Sequence, residues 1–115
     1  MKTIKIVEIL GTPVLLAPDK GERVRKEIER VNEEVIVDFE GYQFVSSTFL
    51  NHAFGQLCID KGWTADVFSK RVKIQNLQED DVDELSLAID NAAMRLTMIR
   101  NGIDPKAFFA THLPA

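Results

Sequence analysis

The chain has little of what marks a secreted, membrane-spanning or nucleic-acid-binding protein. One cysteine among 115 residues, Cys58, has no second thiol with which to form an internal disulfide. No apolar run is long enough to cross a bilayer. The opening Met-Lys-Thr-Ile-Lys-Ile also lacks the charge-free stretch a signal peptide needs, so a cytoplasmic protein is expected. Fourteen Lys and Arg against eighteen Asp and Glu leave a net charge of −4, which supplies no basic stripe for nucleic acid. The six glycines build no phosphate-cradling loop, because Gly11 and Gly21 are far apart, Gly55 and Gly62 stand alone, and Gly102 reads as a helix stop. No repeat or low-complexity tract appears. What remains, 45% hydrophobic and 28% charged, suits one domain able to bury roughly two thirds of its unfolded surface.

Residues 3–10 and 14–17 read as two strands joined by Gly11-Thr12-Pro13, a β-hairpin. Val24, Ile28 and Val31 then share one face of a helix over 20–31, with Asp19 as its cap. Val35, Ile36, Val37 and Phe39 form a short apolar strand of the kind covered on both faces. Gly41 ends it, and Phe44 and Val45 bring the chain back into the core. Ser46, Ser47 and Thr48 offer N-cap hydroxyls to a helix carrying Leu50, Ala53, Phe54 and Leu57 at helical spacing, which Gly62 stops. Residues 66–77 contain Val72 and Ile74 alternating with Lys73 and Gln75, the last strand. A long helix spans 80–101, with Val82, Leu85, Ile89, Ala92, Leu96 and Ile99 on its core face and acidic residues at its start. Leu87, Met94 and Met98 make a second stripe, expected to pack on the protein itself. The expected architecture is α/β, a mixed four-stranded sheet packed by helices in the order β-β-α-β-α-β-α. The domain covers 1–102, and a tail over 103–115 carries one short helical turn with Phe108 and Phe109.

The stretch from Val35 to Asn51 resembles the phosphoacceptor region of STAS domains, the anti-sigma factor antagonist family. There, a strand of the form V-I-x-D-x-x-G leads into x-x-F-x-D-S-S-G-L; Val35, Ile36, Asp38, Gly41, Phe44, Ser47, Thr48 and Leu50 supply the matching residues. It is closer still to the STAS-like branch DUF4325, whose pattern D-F-x-G-x-x-F-x-x-x-[ST]-F-x-[DN] is met by Asp38, Phe39, Gly41, Phe44, Thr48, Phe49 and Asn51. The resemblance implies a small STAS-like fold and a phosphoacceptor at Thr48, with Ser47 the second choice. Ser46 stands where typical STAS sites have an acidic residue, and Phe49 where they have glycine.

Other candidates carry less. His52 has glutamine at i+4 instead of a metal ligand, His112 has no partner in sequence, and Cys58 sits at the edge of an apolar stripe as a small buried hydrophobe. The acidic run 79–84 belongs at a helix start for electrostatic reasons. No nucleophile, base and orienting group come together, so no enzyme, cofactor or metal is expected. The resemblance instead implies a regulatory module whose partner is a histidine-kinase-like ATPase of the anti-sigma type. Ser46, Ser47, Thr48, Asn51 and His52 would form the contact surface, and phosphate would disrupt it. The alternative is a constitutive interaction or homo-oligomerisation domain.

Overall fold

A short strand, β1 (Lys2–Lys5), passes directly into a helix, α1 (Ile6–Leu10), so the hairpin expected from 3–10 and 14–17 does not form. Ile6 and Leu10, four apart, are buried on one helical face, and Gly11 ends the helix in a left-handed conformation with its N–H on Val7 O at 2.9 Å. The β-branched residues that suggested a strand are overridden by this packing. The computed structural model describes residues 1–103 of the chain. The tail turn with Phe108 and Phe109 therefore lies outside the described residues, as does His112.

After β2 (Val14–Leu15), helix α2 (Pro18–Glu29) begins with Ala17 at its N-cap and proline at its first position, which leaves Asp19 in the first turn as a favourable charge instead of a cap. Strand β3 (Val35–Asp38) follows, then β4 (Phe44–Val45). One continuous helical run is built from α3 (Ser47–Leu50), a π-helical segment (Asn51–Gly55) and α4 (Gln56–Lys61), ending at left-handed Gly62. A further helix, α5 (Ala65–Arg71), occupies the first half of the predicted last strand, so that strand is only β5 (Val72–Gln75). Thr64 caps α5 by accepting the Val67 N–H at 3.2 Å, and Phe68 anchors it in the core. The long helix α6 (Glu79–Arg100) completes the described chain. None of these helices is long and apolar enough to cross a membrane.

The expected four-stranded mixed sheet is replaced by two separate parallel ladders: a three-stranded sheet in the order β1-β3-β5 and a two-stranded one, β2-β4. In the larger sheet, Ile4, Val37 and Ile74 stand in register, as do Val35 and Val72, and this row system faces the helices. The opposite face carries exposed Thr3, Lys5, Lys73 and Gln75, half-buried Ile36 and, at its C-terminal edge, buried Asp38. The central strand is thus covered mainly on one side, not both, which is unusual for a parallel sheet. Phe39, Phe54 and Phe68 form a chain of ring contacts at 6.2 and 5.9 Å through the core.

The C-terminal ends of β3 and β5 are tied together by Asp38, a buried carboxylate. Its Oδ1 accepts the Glu40 N–H at 2.9 Å and Asn76 Nδ2 at 2.8 Å, with Asn76 in a left-handed conformation. The Asn76 hydrogen bond, then the Glu40 amide, hold its carboxyl below the ordinary value against the opposing effect of burial. Tyr42 performs a similar task for α6. Its hydroxyl donates to Asp81 Oδ2 at 2.6 Å and accepts the Gln78 N–H at 2.8 Å, and burial, then the Asp81 bond, raises its pKa above the ordinary phenol value. Along α6, Leu85, Ala88, Ile89, Ala92 and Met98 are buried, while Val82 and Ile99 at the two ends are exposed. The expected core stripe therefore holds only in the middle of the helix. Leu87 and Met94 face outward and Met98 packs inward, so the second stripe is not buried as a unit.

Candidate functional site

The strand-to-helix junction at 44–52 is fixed by a hydroxyl that is not one of its candidate acceptors. Ser46 is the N-cap: its Oγ accepts the Phe49 N–H at 3.0 Å and donates to Leu16 O at 3.0 Å, while its own N–H reaches Leu15 O at 2.9 Å. Its hydroxyl is therefore occupied. Ser47 and Thr48 follow in the first turn, both exposed, and among the described residues no hydrogen bond engages either hydroxyl. Asn51 and His52, one turn on, are exposed as well. Four of the five expected contact residues thus share one open face, and the fifth, Ser46, locks the turn beneath them.

Phe44 does not return to the core as its sequence context suggests. Strand β4 is two residues long, successive side chains point to opposite sides, and Val45 takes the inward position. Phe44 is 62% exposed and stands in register with Val14, 40% exposed; Leu16, 45% exposed, lies beside Ser46 on the same ladder. Together they form an apolar rim next to the hydroxyl pair. The alternation of Phe44 and Val45 held this information, but the parallel pairing of β2 with β4 that brings Val14 and Leu16 alongside did not show in sequence.

The helical run bearing these residues is held tightly against α2. A Cβ on Gly21 would lie 2.7 Å from Phe49 O, 3.1 Å from His52 Cβ and 3.2 Å from Ala53 N, so only glycine permits the approach. Arg25 Nη1 donates to His52 O at 2.6 Å, within the π-helical segment, and its guanidinium stands 3.8–3.9 Å from Glu22, Glu29 and Asp60. π-helical turns are costly insertions that recur at functional sites. Here the widened turn carries Asn51 and His52.

The remaining titratable candidates are structural. Cys58 is buried and free, its thiol pushed up to about 12 by burial, which keeps it from acting as a thiolate near neutrality. Among the described residues, no group of three or more His, Cys, Asp or Glu side chains could hold a metal ion. What the junction offers chemically is two accessible hydroxyls at the start of a helix, flanked by apolar side chains: an acceptor or contact surface.

A family model described as a STAS-like domain of unknown function (DUF4325) matches residues 20–82, more than half of the chain, spanning α2 to the first turn of α6 and including the whole junction. No curated protein and no solved structure matches the chain.

Proposed function

The chain belongs to the STAS-like DUF4325 family, and from that premise we propose that it is a non-enzymatic regulatory module that binds a protein partner through the 44–52 junction. The observation that carries this reading is the exposed apolar rim of Val14, Leu16 and Phe44 beside the unengaged hydroxyls of Ser47 and Thr48. A large exposed aromatic at the centre of a mixed apolar and polar surface is the composition of a protein-binding hot spot. The likeness to anti-sigma factor antagonists supports a histidine-kinase-like ATPase as the partner and Thr48 as the phosphoacceptor, with Ser47 second. Phosphate on Thr48 would add about −1.5 to −2 charges next to Phe44 and reverse the character of the contact surface. As the first residues inside the helix, both hydroxyls sit where the helix N-terminus favours an anion.

The test compares capture of partners from the source cell's lysate by wild type, Thr48→Glu and Phe44→Ala, with phosphate mapped on the recovered wild-type protein. The expected result is an ATPase retained by wild type, lost by both variants, and phosphate on Thr48 or Ser47. An ATPase held equally by wild type and Thr48→Glu, with no phosphate on either hydroxyl, removes the switch. Loss on Phe44→Ala alone leaves a constitutive binding module.

A further inference from the structure

Among the described residues, no strand pairs with the outer edge of β5. In a parallel ladder each residue turns its N–H and C=O toward the same neighbour, and successive residues alternate between the two sides. The Phe39 N–H bonds Gln75 O at 2.9 Å, so Gln75 and Lys73 face β3. Ile74 therefore presents both its N–H and its C=O to the outside. The N–H of Val72 is already taken by Phe68 O at the end of α5, and left-handed Asn76 ends the strand. Alongside this edge, β5, α5 and α6 border a groove of about 400 Å³ with Phe68, Val72, Ile74, Leu85 and Ile89 as its apolar lining. The opposite edge of the sheet is guarded by charge, since Lys2, Lys5, Glu8 and Glu27 line the groove beside β1.

We propose that β5 pairs antiparallel with β5 of a second copy of this chain across a two-fold axis, joining two three-stranded sheets into one of six strands. The edge is its own complement. With Ile74 on the axis, the Ile74 N–H of each copy meets the Ile74 C=O of the other, the mutual exchange that makes a hydrogen-bonded antiparallel pair. Lys73 then stands opposite Gln75 of the second copy, in the closer, non-hydrogen-bonded pairing. The neighbouring register, centred on Lys73, sets lysine against lysine and is disfavoured. On the helix side the two Ile74 side chains meet, and the two apolar grooves close against each other. A two-fold contact of this kind is complete with two copies and leaves no β5 edge open for further growth. The matched strand is four residues long, a contact smaller than a permanent dimer uses, so association depends on concentration. This surface is separate from the 44–52 junction and does not rest on the partner-binding reading above.

The experiment measures the mass of the full chain by sedimentation equilibrium from low micromolar to millimolar concentration, and follows deuterium exchange of the Ile74 amide by NMR over the same range. A monomer–dimer equilibrium is expected, with the Ile74 amide exchanging more slowly as dimer forms. Gln75→Lys, an exposed substitution on the sheet face away from the helices, sets lysine opposite Lys73 twice per dimer. It should weaken association about tenfold. Adding Lys73→Glu turns both pairs into opposite charges and should restore association to the wild-type level, with circular dichroism confirming that both variants are folded. A monomer at every concentration overturns the proposal, including one whose groove takes up an extended segment of another protein. So does a wild-type dimer whose Ile74 amide exchanges at the monomer rate. A dimer indifferent to Gln75→Lys, or weakened by it without rescue by Lys73→Glu, places the interface elsewhere and overturns it too.

Discussion

At the scale of single residues, three neighbouring hydroxyls have been divided between two tasks by one backbone geometry. Ser46 is consumed by its cap and by Leu16 O, whereas Ser47 and Thr48 are left to solvent. Ser46→Ala should therefore lower stability by about 1 kcal/mol, the usual cost of a lost N-cap. Thr48→Ala should fall within about 0.5 kcal/mol of wild type, as exposed substitutions do. Urea unfolding of both variants checks the pair; equal losses would mean that Thr48 shares the capping. Sequence alone made all three interchangeable, because N-cap preference ranks residue types and does not say which of three adjacent hydroxyls has the extended backbone angle a cap needs. That choice is made by β4, which places Ser46 one residue beyond its end.

Among elements, the long and strongly periodic ones were legible and the short ones were not. The helices at 18–29, 47–61 and 79–100 follow their apolar spacing, and left-handed Gly62 and Gly102 stop two of them as their positions suggest. The failures, α1 read as strand and α5 merged into β5, are segments of five and seven residues whose type is decided by neighbours more than by propensity. The Thr64 cap was the missed signal for α5. The π-helical segment had no signature at all, since its sequence keeps ordinary helical spacing. Between elements, Gly21 is the tightest joint. Gly21→Ala gains about 1 kcal/mol of intrinsic helix preference, but its Cβ meets the backbone oxygen of Phe49 at 2.7 Å and forces α2 and the helical run apart. Net destabilisation of about 1–2 kcal/mol is expected from overpacking. Thermal unfolding checks it, and a variant more stable than wild type would show that the joint relaxes freely.

For the whole molecule, the fold class was legible and the pairing was not, because β-branched runs reveal strands without revealing partners or direction. What joins β3 to the end of β5 at the C-terminal edge of the sheet is Asp38, and this makes acid stability a global property. Its carboxyl is held below the ordinary value of 3.8 in the folded state. The unfolded chain therefore binds its proton first as pH falls. The stabilising contribution is complete above the unfolded value and is lost as pH drops through the folded one. A scan of unfolding midpoints from neutral pH to below 3.8 should show wild type losing more stability than Asp38→Ala, which has already forfeited the tie. Parallel acid profiles would place the pH dependence elsewhere.

The π-helical segment has an evolutionary and engineering consequence as well. A helix advances about 100° per residue, so removing one residue from 51–55 and restoring regular winding would leave the core-facing half of the helix in place. The amino-terminal turn would be swung by nearly a third of a revolution. Ser47 and Thr48 would then look toward a different quadrant of the surface, but Phe49 and Leu50, fully buried in the same turn, would be swung out of the core with them. The aim of the two hydroxyls is thus geared to the core: an insertion or deletion in this turn that re-aimed them would have to be matched by new packing for Phe49 and Leu50 against α2.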